Sequence, residues 1–193
     1  LIAEPGFHMT ALVADEYMTL HEAGESGTSF FLTQIVKNSL PWRYVGVLHE
    51  VIHCDQAHTT DKLHGISCKG FFDSARNLDP KAKYAGDARV LEAALLNEPD
   101  NARYVFYLAQ SYRDSGDLER AIETYRRRAA MGGWEEEVWY SLYQVAVLSE
   151  RKGGDFAPAL AAYLAAYQRR PTRAEPLCEL ARHFREKGEH ATA

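Results

Sequence analysis

The sequence predicts an α+β chain: a short mixed β segment over residues 1–79, then an all-α helical repeat array over residues 80–193. Three observations predict it. Residues 101–134, "NARYVFYLAQSYRDSGDLERAIETYRRRAAMGGW", place bulky, small and aromatic side chains at fixed offsets along two successive helical periods. The same offsets recur downstream. Before Asp79 the helical period gives way to β-branched and aromatic runs separated by turn residues. With 193 residues, 46% of them hydrophobic and 25% charged, the chain can bury a core and has ordinary globular composition.

The first repeat starts at Ala102. Val105, Leu108, Ala109 and Tyr112 form the apolar face of its first helix, Gly116 its turn, and Ala121 and Tyr125 the small and aromatic contacts of its second. A small residue lets a neighbouring aromatic seat against the helix backbone, so the offsets carry steric meaning. Trp139, Leu142 and Ala146 repeat the first-helix pattern, and Ala159, Tyr163, Ala166 and Pro171 the second. The "SERKGGDF" turn absorbs about four extra residues, which is tolerable because loop closure cost grows slowly with length. Leu177, Leu180, Ala181 and Phe184, with Gly188, begin a third unit, and Leu91, Ala94 and Pro99 look like an orphan second helix upstream. This is the spacing of tetratricopeptide repeats, ~34 residues each, here two full repeats with a half at each end. Such an array is expected to hold a peptide or partner helix in its concave face, with Tyr104, Tyr107, Tyr140 and Tyr143 as groove residues.

The N-terminal segment reads as strands. Pro5 and Gly6 mark a turn, and "HMTALVADEYMTL" is expected to form a short helix leading into a strand around residues 17–20. "EAGESG" reads as a hairpin-type turn, "TSFFLTQIVK" as a strand, residues 38–41 as a break, and "WRYVGVLHEVIHC" and "KLHGISCKGF" as further strands. Helix character begins at Pro80, with Tyr84, Ala88, Leu91 and Leu95 on one face. So short a sheet buries little apolar surface alone, so the segment is expected to be the C-terminal edge of a larger α/β domain, with an exposed apolar edge prone to association.

Composition narrows the function classes. A net charge of −5, with no basic stripe beyond Arg126, Arg127 and Arg128, disfavours nucleic acid. That triplet reads as a solvated helix face or an acid-pairing edge. No apolar run approaches the ~18 residues of a membrane span. The three cysteines, odd in number and widely spaced, point to reduced thiols and a cytoplasmic setting.

Residues 49–53, "HEVIH", match H-E-x-x-H literally. On a helix, His49 and His53 would share a face and bind zinc, with Glu50 as the general base of a metalloprotease. No Glu follows between Val51 and Val90 to supply a third ligand, Thr59 stands where the extended motif needs His, and strand-like composition opposes the helix. His49, His53, Cys54, His58, His64 and Cys68 likewise lack the spacing of a structural zinc knuckle.

"LPWRYVGVLHEVI", followed by "DPKAKYAGDARVLEAALLNEPDNARYVFYLAQSYRDSGDLERAIETYRRRAAMGGWEEEVWYSLYQ", resembles the tetratricopeptide-bearing glycosyltransferases of family 2. The resemblance runs from Ser29 to the C-terminus. It implies a nucleotide-diphospho-sugar-binding domain of the GT-A type ending in the W-R-Y-x-G-V-x-H-E segment, with the repeats directly after it. It implies Glu50 as catalytic base or acceptor-orienting carboxylate, His49 as metal or diphosphate contact, and Trp42 and Arg43 as substrate-pocket residues. It further implies a divalent cation (Mn or Mg), a nucleotide-sugar donor, and a protein or glycan acceptor. The metal-binding D-x-D is missing: "VADE" at residues 13–16 lacks its first Asp, and Asp15 and Glu16 are expected to be ordinary surface carboxylates. The chain also opens without Met. It therefore reads as an N-terminally truncated fragment, with the D-x-D upstream of Leu1, and is expected to be inactive alone. The alternative expectation is a non-catalytic repeat scaffold. The metalloprotease comes third.

Overall fold

A computed structural model describes residues 1–9, 11–23, 27–70 and 79–192. The chain divides into two compact units, Leu1–Leu78 and Asp79–Ala193.

In the first unit, strands β1 (Ile2–Ala3), β2 (Glu16–Ala23), β3 (Thr28–Val36) and β6 (Thr60–Gly70) form one sheet in the order β1-β6-β2-β3. Strands β4 (Arg43–Val45) and β5 (Val51–His53) form a separate two-stranded ribbon. β2 and β3 pair antiparallel, from Glu16 opposite Val36 to Ala23 opposite Thr28. β2 and β6 run parallel, and the ribbon lies within the crossover that parallel pairing requires. Of the expected "EAGESG" turn, residues 24–26 lie outside the described residues, as does Phe71 of "KLHGISCKGF".

The short helix expected in "HMTALVADEYMTL" does not form among its described residues. The backbone N–H groups of Val13 and Ala14 donate instead to the Tyr17 hydroxyl, at 2.7 and 2.9 Å. That of Asp15 donates to Thr59, so a local side chain and a distant residue, not helix carbonyls, accept from these donors. Asp15 and Glu16 are not ordinary surface carboxylates either. Asp15 accepts from the backbone N–H of His58 (3.0 Å) and from Thr59, and pairs with Lys37. The His58 N–H, then the Thr59 hydroxyl, hold its carboxyl at about 2. Glu16 accepts from Thr33 at 3.1 Å and Thr60 at 2.6 Å, joining the neighbours on both sides of β2. In β6, Gly65 has φ +79, and the Phe7 ring lies 2.9 Å from where a Cβ would stand. A side chain there would meet both strain and a clash.

The second unit has six helices: α1 (Pro80–Asn97), α2 (Ala102–Ser115), α3 (Leu118–Ala130), α4 (Glu135–Lys152), α5 (Ala157–Arg169) and α6 (Glu175–Glu186). Each packs on the next in the chain, the nearest-neighbour pattern of a helical repeat. The side chains of Asp79, Asn101 and Asp117 cap α1, α2 and α3 by accepting from Ala82, Tyr104 and Arg120. Gly116, at φ 93, ends α2 in the left-handed conformation. Val105, Ala109, Ala121, Tyr125, Ala146 and Ala166 are fully buried, at the offsets read from the repeat. The fold is α+β, a mixed sheet followed by a tetratricopeptide-like array. No helix among the described residues is long and apolar enough to cross a membrane.

Candidate partner groove and the H-E segment

The H-E segment is a hairpin. Arg43 pairs with His53, Tyr44 with Ile52 and Val45 with Val51, and residues 46–50 make the turn. His49 sits in that turn with φ 53, whereas His53 lies on β5. The two histidines share neither a helix face nor a strand face, which removes the geometry of an H-E-x-x-H zinc site. Among the described residues no three His, Cys, Asp or Glu side chains converge on a point. The described residues of this segment therefore lack the H-E-x-x-H zinc geometry.

Trp42 and Arg43 are engaged locally. The Trp42 indole N–H donates to the Lys37 carbonyl at 2.8 Å. Arg43 and His53 both meet the Asp55 carboxylate, at 2.9 and 2.8 Å, and Arg43, then His53, lowers its pKa. Glu50 stands apart from this set. It lines a pocket of about 220 Å³ with Met18, Phe31, Leu32, Tyr44 and Val51.

In the helical unit, a groove of about 390 Å³ opens between α2 and α4. Phe106, Tyr107, Trp134, Trp139 and Tyr140 supply its aromatic surface, and Arg103, Gln110, Glu136, Glu137 and Arg173 its polar one. Phe106 meets Tyr140 edge-on at 5.8 Å between centroids, and Tyr125 lies beneath both. Arg113 donates to the Tyr140 hydroxyl at 2.9 Å, which fixes that ring.

Of the four tyrosines expected in a groove, Tyr107 and Tyr140 line this one. Tyr104 is buried at 8% exposure and does not line it. Tyr143 stacks on Trp139 at 5.5 Å, packs on the core of α4, α5 and α6, and donates to Glu179. Burial, helped by Glu179, pushes its hydroxyl up to about 12.

Charged residues complete the groove. Glu137, 4% exposed, accepts from Arg128 at 3.0 and 2.9 Å and from Arg103. Arg128, part of the triplet read as a solvated face or acid-pairing edge, is itself buried at 1%, so only the pairing survives there. Glu136 accepts from Arg170 and from Arg173, and these two, Arg170 first, hold it below the usual carboxylate range. The Arg103 guanidinium lies 4.7 Å from the Tyr107 ring centre and 5.5 Å from that of Trp134, and Arg173 lies 4.5 Å over Trp139. The tyrosine-based reading missed Arg103, Trp134 and Arg173. One signal was available: Arg103 and Glu137 stand 34 positions apart, as do Arg170 and Glu136, one repeat length with opposite charge.

Residues 83–133 match the family model described as a tetratricopeptide repeat. Among solved structures, the chain is similar to the crystal structure of MamA, at 18% identity, over 63% of this chain and 70% of that one, with a TM-score of 0.48. No curated protein matches the chain. None of these findings brings in a glycosyltransferase.

Proposed function

We propose that the chain is a protein-docking module whose helical array presents the α2–α4 groove to a peptide segment of a partner. One observation carries the reading: aromatic side chains from adjacent repeat units, with Trp134 61% exposed, line a groove of about 390 Å³ inside a tetratricopeptide-type array. Tryptophan, tyrosine and arginine side chains of this kind dominate binding energy at protein interfaces. Peptides selected from a displayed library on the immobilised chain should bind the groove. Trp134→Ala should weaken the selected peptides about tenfold or more while leaving helical circular dichroism unchanged. Selected peptides that bind this variant equally well would place docking elsewhere.

A second reading keeps the glycosyltransferase resemblance, and its support is the placement of Glu50 on the 220 Å³ pocket of the first unit. Under it, Glu50 deprotonates or orients an acceptor within a longer protein. Sugar transfer by that longer protein should then fall by about 10²–10⁴ in Glu50→Gln. Full transfer by the variant would remove the role.

A further inference from the structure

The groove's carboxylates are already saturated, while hydrogen-bond donors around it lack acceptors. Glu137 serves Arg103 and Arg128, and Glu136 serves Arg170 and Arg173. Arg173 also reaches Glu175 at 3.1 Å. Among the residues that line the groove, Arg103 and Arg173 balance Glu136 and Glu137, so neither carboxylate is left over for a further donor. The indole N–H of Trp139, a side chain only 3% exposed, is buried without a partner, and so is the Nε–H of Arg173 stacked over it. Buried donors left unpaired are costly, so this end of the groove favours a ligand rich in acceptors.

We infer that the groove takes an acidic peptide segment of a partner protein, its carboxylates and carbonyl oxygens accepting from Trp139, Arg173 and Arg103. The inference rests on the docking reading above. Arg103 is held against the faces of Tyr107 and Trp134, and Arg173 against Trp139, so both guanidinium groups are oriented before a ligand arrives. Trp134 and Tyr107 also offer ring surface to the methylene stems of glutamate. The chain as a whole carries a charge of −5, so its overall field repels an acidic ligand. Attraction must then come from the unpaired N–H groups of Trp139 and Arg173.

The test is fluorescence anisotropy on the full chain with two labelled decapeptides, an oligo-glutamate and its glutamine counterpart, and with a labelled oligonucleotide of matched charge. The oligo-glutamate should bind saturably, about tenfold or more tighter than the glutamine peptide, and weaken as salt rises. Arg103→Gln and Arg173→Gln should each weaken it about fivefold or more. In both variants the partnered glutamate keeps a second arginine, Arg128 or Arg170. Arg169→Gln, which touches Glu135 outside the groove, should change nothing. Equal binding of the glutamate and glutamine peptides overturns the inference, as does indifference to both groove variants or equal affinity for the oligonucleotide. If library-selected peptides bind in a Trp134-dependent way but carry no acidic residues, the acidic assignment falls and docking stands. If no peptide depends on Trp134, both fall.

Discussion

Glu137 stands where two repeat units meet, and its environment shows what a single buried charge does in this array. Its carboxylate is 4% exposed and is matched by Arg128 at 1%, with Arg103 reaching in from α2. Removing one member of such a pair leaves the other charge buried and uncompensated, which typically costs about 3–5 kcal/mol. Glu137→Gln should therefore lower the unfolding free energy of the helical unit by about that much, read from urea denaturation followed by helical circular dichroism. A change below about 1 kcal/mol would mean that water reaches Arg128 in the variant.

Among the elements, β2 depends on side-chain ties that a strand pattern does not display. Asp15, just before it, accepts from His58 and Thr59 just before β6, and so ties the starts of two parallel strands. The His58 N–H and the Thr59 hydroxyl push the Asp15 carboxyl down from 3.8 to about 2. An acid held below its unfolded value stabilises the fold fully above about pH 4, and that contribution disappears as pH falls towards 2. Asp15→Asn should thus lower the melting temperature at pH 7, with the gap to the parent chain narrowing between pH 4 and pH 2. A gap constant with pH would assign the effect to lost geometry instead of charge. The helices need less help of this kind: Asn101, Asp117 and Gly116 set their ends through bonds within a few residues.

At the scale of the molecule, the two units differ in how much they bury. The helical unit carries a continuous core from Leu91 to Leu180, passed from each helix to the next. In the first unit, the buried side chains among the described residues are Tyr17, Thr19, Cys54 and Leu63. Phe30 and Leu32 on the outer strand β3, and Tyr44, Val45 and Val51 on the ribbon, stay exposed. An edge strand with exposed apolar residues is a template for pairing with another chain. The chain should accordingly self-associate and bind an apolar-surface dye, and Leu32→Lys should shift sedimentation towards monomer. A parent chain that sediments as monomer and binds no dye would show that this surface is inert in solution.

The repeat array was legible in the sequence because its information is short-range. Small and aromatic residues at fixed offsets and the Gly116 turn act within one helical hairpin, and the offsets predicted Val105, Ala109, Ala121, Tyr125, Ala146 and Tyr163 as core. The strands over "TSFFLTQIVK" and "KLHGISCKGF" were legible for the same reason, through local β-branched and aromatic composition. Tertiary structure alone decided the rest. It split "HEVIH", whose composition already favoured a strand over a zinc-binding helix, into a turn at His49 with φ 53 and the strand β5, because cross-strand pairing sets the ribbon's register. It made Asp15 and Glu16 inter-strand ties, because their partners lie 17 to 44 residues away. It placed Arg103 and Arg173 on the groove beside Tyr107 and Tyr140, and withdrew Tyr104 into the core. A local pattern records which face of an element is apolar. Only the packing of one element on another determines which polar groups meet across it.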